Sequence, residues 1–306
     1  MHDIAIIGSG PAGCTAALYC ARFGRSVALF EKSVVGGQMS EAVSIENYPG
    51  LDSIDGFTLA QKMLAQAEHF GAQNIAEAIT SVRLDAEEKS LCTVKGKSYS
   101  ARSVIIATGA HARKLGLEKE SDLAGRGISY CAACDGMLYR GKTVAVVGGG
   151  TSAVTEALHL SQICEKVHLL HRRRELRAPE LYQEALRRRL NIVFHPASEV
   201  QELLADDRLR GILVKDLETG SVYSQTLDGL FIAIGREPET SLIQGQLATD
   251  GDGYIFTDES TQTAIAGVFA AGDVRVKPVR QITTAVSDGT LAAFAAENYL
   301  KQRTNS

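Results

Sequence analysis

The chain has 306 residues, 45% of them apolar, with a formal net charge of −4 and a pI near 6. That length exceeds one average domain and supports two, each with apolar residues enough for its own core. Mild acidity offers no basic face for nucleic acid, and no run reaches the roughly 18 apolar residues of a membrane-spanning helix. Met1-His2-Asp3 enters an apolar run without the n-region and h-region of a secretory signal, so the expected compartment is the cytoplasm.

Residues 3–13, DIAIIGSGPAG, predict a strand running into Gly8, Gly10 and Gly13, then a helix over 14–23 and a second strand over 26–30. In this βαβ opening Gly8 permits a tight turn, Gly10 lets the backbone approach a pyrophosphate, and Gly13 lets the helix pack on the strand. The phosphates would lie at the helix N-terminus, where backbone N–H groups lack partners. Glu31, at the end of the second strand, is placed to grip ribose hydroxyls, which suits the unphosphorylated adenosine ribose of FAD. A further strand over 103–108 runs into ATGA, bringing Thr108 and Gly109 to a position that could close this first nucleotide domain.

Six cysteines occupy positions 14, 20, 92, 131, 134 and 164, and only Cys131 and Cys134 form a local unit. The others read as small buried hydrophobes. In a reducing compartment a CxxC is catalytic or metal-binding sooner than structural. Zinc would need four ligands, and no second CxxC or His/Cys pair follows at metal-site spacing, so no metal is expected. The two-residue gap brings the sulfurs within bonding reach, and a helical turn starting at the motif would favour a thiolate. Asp135, beside Cys134, can pass a proton to a leaving thiolate or take one from an attacking thiol.

The glycine pattern then recurs in residues 143–153, TVAVVGGGTSA, with Gly148, Gly150 and Ala153 in the three places, a helix over 154–161 and a strand over 166–170. Gly8 and Glu31 are 23 positions apart, as are Gly148 and His171, so the two units share a register. At the strand end the acid of the first unit gives way to His171-Arg172-Arg173, with Arg177 a turn further on. A carboxylate there would repel a 2′-phosphate and arginines would clasp it, so the second unit suits NADPH. By contrast 187–189, a run of arginines near a helix end, reads as an exposed face.

A strand over 230–234 ends in Gly235-Arg236, echoing the strand before ATGA. Residues 267–273, GVFAAGD, again deliver glycine and aspartate from a strand, and a long apolar helix follows over 281–300. The expected class is α/β with two Rossmann-like domains, the NADPH domain inserted into the FAD domain: 1–112 and 243–306 for FAD, 113–242 for NADPH and the CxxC.

SYCAACDG at 129–136 resembles the active-site signature of the low-molecular-weight, bacterial-type thioredoxin reductases within the pyridine nucleotide-disulfide oxidoreductases. The resemblance extends to GSGPAG at 8–13, GGQ at 36–38, ENYPG at 46–50, ATGA at 107–110, GGGTSA at 148–153, HRRRELRA at 171–178, FAAGDV at 269–274 and RQITTAVSDG at 280–289. It implies a homodimer in which FAD is contacted by Gln38, Asn47, Asp273 and Gln281. Through the same motifs FAD contacts extend to Ser9, Pro11, Ala12, Lys32, Gly36, Gly37, Gly272, Arg280 and Ile282. NADPH would be held at Thr151, Ser152, His171, Arg172, Arg173, Arg177, Gly235 and Arg236. Cys134 would face the flavin, Cys131 would attack the disulfide of thioredoxin with Asp135 as acid/base, and Arg126 would lie in the docking loop.

Thr151 stands where the family usually has Asp or Asn, and Thr155 where an acidic pair would include Glu beside Glu156. The nicotinamide and the disulfide both need the flavin edge yet belong to one domain, which implies a rotation of that domain between two poses. Rival readings are a ferredoxin- or NADH-dependent reductase, an oxygen-dependent dithiol oxidase on the same fold, and a redox-sensing binding module without turnover.

Overall fold

The computed structural model describes residues 1–42 and 44–304. The chain divides into two compact units, one of residues 1–111 with 237–306 and one of residues 112–236. These limits compare with the expected edges after 112 and 242; Leu242 pairs with the core of the first unit, and Ile243 and Leu247 are buried in it.

The first unit opens with β1 (His2–Ile7), α1 (Pro11–Arg22) and β2 (Val27–Phe30), followed by α2 (Gly56–His69), β3 (Gln73–Ile75), β4 (Ile79–Arg83), β5 (Lys89–Thr93) and β6 (Ser98–Ile106). Helix α1 begins three residues earlier than the apolar pattern indicates, because Pro11 is preset for the first helical position and Gly10 supplies the extended cap. The sheet order is β3-β2-β1-β6-β5-β4. β1 runs parallel to β2 and β6, while β5 and β4 turn back antiparallel. β6 exceeds the expected 103–108 at its start because residues 98–101 pair with β5. β7 (Ala110–Ala112) carries the first crossing of the chain.

The second unit holds β8 (Ile128–Ser129), α3 (Ala132–Asp135), β9 (Thr143–Val147), α4 (Thr151–Leu160), β10 (Lys166–Leu170), α5 (Glu180–Arg187) and β11 (Ile192–His195). β12 (Ser198–Ala205), β13 (Leu209–Asp216) and β14 (Val222–Thr226) form an antiparallel sheet, and β15 (Gly229–Ile232) returns to the parallel sheet, whose order is β11-β10-β9-β15-β8. β16 (Arg236–Pro238) carries the chain back, and β17 (Val268–Ala270) then adds to the first unit's sheet beside β6 before α6 (Ile282–Thr304).

The central parallel strands β1, β2, β6, β9, β10 and β15 are buried on two faces, which is why they read as largely unbroken apolar runs. In the first unit Ile4, Ile6 and Ile105 face a cluster with α1 and α6, and Ala5, Ile7 and Ile106 face a second. In the second unit Val144, Val146 and Val167 pack under α4, while Ala145, Val147 and Leu170 pack against side chains of β12 and β13.

The register sets where chemistry can sit. Ile7, Phe30, Ile106 and Ala270 end their strands at one level, so Gly8, Glu31, Ala107 and Ala271 all leave the carboxyl edge of the first sheet together. In the second sheet Val147, Leu170 and Ile232 are level, so Gly148, His171 and Ala233 do the same. Open parallel sheets bind ligands at this edge.

Candidate active site

At the first edge Gly8 (φ +102°) turns the chain so tightly that a Cβ would lie 2.4 Å from the Ala107 carbonyl oxygen, and a Cβ on Gly13 would lie 1.8 Å from the Gly8 oxygen. Ala12 and Gly13 are buried, and the first-turn N–H groups of α1 carry no side-chain cap. Gly36 closes the far side of the loop, its N–H donating to the Ser9 oxygen at 3.0 Å, with Gly37 next to it starting a short 3-10 turn that includes Gln38. Glu31 is buried and accepts from the Ser9 N–H at 3.0 Å, the Ser9 hydroxyl at 2.7 Å and the Ser33 N–H at 2.9 Å. Its carboxylate thereby joins the end of β2 to the glycine loop.

Other residues of the FAD set come to the same edge from distant sequence. Asn47 Nδ2 donates to Gln281 Oε1 at 3.4 Å, joining residues that the chain separates by 234 positions. Thr108 donates to the Glu239 oxygen at 2.7 Å, beside Gly109 (φ +75°), while Lys32 pairs with Glu239 at 3.4 Å. Gly272 packs on Ala12 and donates its N–H to Asp288 Oδ2 at 3.0 Å. Arg280 stacks 4.0 Å over the Tyr254 ring and donates to the carbonyls of Asp273 and Arg275, which shapes the turn before Gln281 and Ile282.

At the second edge Gly148 meets the Ala233 carbonyl, Gly150 caps α4 without a side-chain bond, and no atom lies within 4 Å of where its Cβ would be. Thr151 and Ser152 are exposed in the first turn. The Arg177 N–H donates to the Gly149 oxygen at 2.6 Å, which folds the arginine segment back over the loop and leaves Arg172, Arg173 and Arg177 exposed. The His171 ring turns inward beneath Gly149, and its buried Nε2 has no hydrogen-bond partner. Burial first, then the charges of Arg177, Arg173 and Arg172, lower its pKa and keep it neutral. Gly235 (φ +112°) lies against Arg113, and Arg236 donates to the Tyr130 carbonyl at 3.5 Å.

The redox turn is built at the end of β8, whose Ser129 is level with Phe231 of β15. Cys131 and Cys134 form a disulfide with Cα atoms 5.3 Å apart; Cys131 is half-buried and Cys134 exposed. The Ser129 hydroxyl accepts from the Cys131 N–H at 3.1 Å and donates to Asp135 Oδ2 at 2.6 Å. Burial raises the Asp135 carboxyl above the ordinary aspartate range, and the Ser129 bond draws it part of the way back. Tyr130 donates to Glu120 at 2.8 Å, and Glu120 in turn accepts the N–H groups of residues 115–117, so the loop that leads to Arg126 is tied to the turn.

Ser129 and Glu156 also belong to this neighbourhood, and neither was among the expected site residues. The serine's only signal is a hydroxyl two places before the first cysteine. Glu156 entered the sequence reading only as the remaining half of an acidic pair, and burial pushes its carboxyl up to about 7, against Arg236 and the Ala132 N–H. Of the other cysteines, Cys14, Cys20 and Cys164 are buried, whereas Cys92 is only half-buried because it alternates outward on β5. Burial pushes the Cys14 thiol up to about 12, which leaves it inert.

Two nucleotide-type edges and a disulfide hung on the second of them define a nucleotide-dependent disulfide oxidoreductase. The pyridine nucleotide-disulphide oxidoreductase family matches residues 2–289, and the chain belongs to it. It is 43% identical over 303 residues to a thioredoxin reductase of Listeria monocytogenes, covering 99% of this chain and 95% of that protein. It is 40% identical to one of Bacillus subtilis, covering 99% and 96%. The solved thioredoxin reductase of Streptococcus pyogenes is similar over 99% of both chains, with 44% identity and a TM-score of 0.93.

Its cofactors are FAD and NADPH, and the two edges fit them. An uncapped helix start behind a glycine turn that excludes a Cβ admits a pyrophosphate at the first edge, with a carboxylate at the strand end. The second edge repeats the helix start and offers exposed guanidinium groups in place of the acid. Among the described residues no helix is long and apolar enough to cross a membrane.

Proposed function

We propose that the chain is a thioredoxin-disulfide reductase that draws electrons from NADPH and delivers them through Cys131 and Cys134 to oxidised thioredoxin or a thioredoxin-like protein. The observation that carries this reading is the Cys131–Cys134 disulfide with Asp135 on the unit whose strand end bears Arg172 and Arg173. Residues 1–111 and 237–306 are assigned to FAD and residues 112–236 to NADPH.

FAD, when bound, supplies the two-electron carrier between the nicotinamide and the disulfide. The first-turn N–H groups of α1, with the loop of Gly8, Ser9 and Gly10, would hold its pyrophosphate, and Glu31 would bind its ribose. Asn47, Gln281 and Asp273 orient the remainder. Arg172, Arg173 and Arg177 grip the 2′-phosphate of NADPH, and the exposed guanidinium groups support that assignment.

Once the pair is reduced, the Cys131 thiolate attacks the acceptor's disulfide and forms a mixed disulfide, expelling an acceptor thiolate. The Cys134 thiolate then attacks Cys131, releases the second acceptor sulfur and restores the Cys131–Cys134 bond. Asp135, with its raised pKa, holds the proton that a leaving thiolate needs. Cys134, the more exposed of the two, is assigned to the flavin side.

The protein works as a cytoplasmic homodimer. An apolar strip on α6 supports the dimer, since Leu291 and Phe294 are exposed and Phe294 packs edge-on against Phe23. The test is to purify the flavin-loaded protein and follow oxidation of NADPH and of NADH with and without oxidised thioredoxin. The expected result is NADPH consumption that depends on thioredoxin; consumption that ignores it would refute the acceptor.

A further inference from the structure

Counting from the first glycine of each unit, the eighth position falls on the inner side of its helix. In the first unit this is Ala16, which is fully buried. In the second it is Glu156. A carboxyl in a place that a methyl fills elsewhere is costly to bury.

Glu156 Oε2 is shut off from solvent and has no hydrogen-bond partner. Its carboxyl faces the N–H of Ala132, the residue between Cys131 and the rest of the redox turn. The two elements lie close along their length, because Gly136 at the end of the turn approaches Leu160 and His159 of α4 to within the reach of a single Cβ. A half-buried glutamate with one carboxyl oxygen cut off from solvent therefore lies next to the backbone of the disulfide turn.

We propose that Glu156 is a second proton-holding carboxyl of the redox centre, a positioning residue whose ionisation is linked to the oxidation state of the Cys131–Cys134 pair. The inference rests on the redox role proposed above for that pair. Reduction breaks the S–S bond and places two electrons, supplied by the hydride of NADPH, on the two sulfurs. The hydride brings one proton with its two electrons, so the products are one thiol and one thiolate. A thiolate on the turn and a carboxylate under the turn's backbone, with one oxygen cut off from water, repel, so Glu156 binds a proton as the thiolate appears and releases it when the disulfide re-forms. The centre then keeps its charge constant while its sulfurs change.

Burial pushes this carboxyl up to about 7, where a proton is exchanged at neutral pH. Other groups around it differ from it in kind. Arg236 favours its ionised form, Asp135 on α3 is bonded to Ser129, and His159 lies on the same helix. β9 brings no titratable side chain, β10 carries Lys166 and His168, and on α5 Arg187 pairs with Glu180 and Arg188 with Glu184.

The test equilibrates the FAD-loaded protein anaerobically with dithiothreitol redox buffers at a series of pH values, alkylates it, and reads the reduced fraction of the pair by mass. Wild type should take up an additional fraction of a proton per disulfide reduced near neutral pH. The E156Q variant should lose that fraction, and E156D should restore it at a shifted pH. Superimposable wild-type and E156Q curves would overturn the proposal.

Should E156Q fail to fold, the infrared difference between reduced and oxidised wild-type protein, with and without 13C-labelled glutamate, decides instead. A glutamic acid carbonyl band that grows on reduction supports the proposal, and its absence refutes it. Because the thiol buffer sets the pair directly, Glu156 is read even if NADPH cannot reduce the pair, an outcome that would refute the proposed function instead.

Discussion

The two glycine-rich units share a register, and three of the differences between them alter what each unit can do. Gly13 cannot bear a methyl, whose carbon would lie 1.8 Å from the Gly8 oxygen, whereas Ala153 holds the matching place in the second unit with its methyl buried. Helix and loop are therefore closer in the first unit than in the second. At the strand end a buried Glu31 ties down Ser9, while the second unit turns a neutral histidine inward and sends arginines outward. In the helix Ala16 is replaced by Glu156. Where the units agree, they agree in detail: Thr15 donates to the Pro11 oxygen at 2.7 Å and Thr155 to the Thr151 oxygen at 3.0 Å. Register thus sets the fold, and the departures are what the proposed function uses to give one unit the prosthetic group and the other the substrate and the sulfur pair.

The comparison can be broken most severely at the sulfurs. A Cys134→Ser variant should keep its flavin and lose NADPH-driven disulfide reduction by at least about 1000-fold, read as thiols released per minute. Next comes a reciprocal exchange at the third glycine. Gly13→Ala should abolish flavin-loaded soluble protein, while Ala153→Gly should cost about 1 kcal/mol in a urea melt. Equal effects would mean that the two loops are packed alike.

Removing the arginines tests the strand-end difference. In the triple variant Arg172→Ala, Arg173→Ala, Arg177→Ala the KM for NADPH should rise about 100-fold, as expected for the loss of three solvent-screened ion pairs of about 1 kcal/mol each. The KM for NADH should hardly move.

The smallest effect concerns stability and pH. Burial raises Glu156 from the usual glutamate value of 4.5 to about 7. Between those values the folded chain keeps a proton that the unfolded chain has released, so stability falls as pH rises through the window. Glu156→Gln removes that loss. It should stabilise the protein at pH 8 by about 1–3 kcal/mol and have little effect near pH 4.5, measured by denaturant unfolding.

Much of this was legible in residues alone. The glycine spacing located both carboxyl edges, because a turn that excludes side chains can be recognised locally. The CxxC and its aspartate were legible for the same reason. Burial was not legible where it depends on the tertiary partner: nothing local distinguishes Glu156 from a solvated helix glutamate, or tells that the His171 ring folds beneath Gly149. Ser129 was hidden because its hydroxyl bonds run to the Cys131 backbone and to a carboxyl six residues away. Helices α1 and α4 began earlier than their apolar patterns because their first turns are glycine, proline and small polar residues, which carry no periodic signal.

The most direct test of electron flow is a thiol count on the yellow protein after one anaerobic addition of NADPH, followed by oxidised thioredoxin. The expected result is that Cys131 and Cys134 become alkylatable after the first addition, and that their two thiols then reappear on thioredoxin. NADPH oxidation that leaves Cys131 and Cys134 bridged would contradict it.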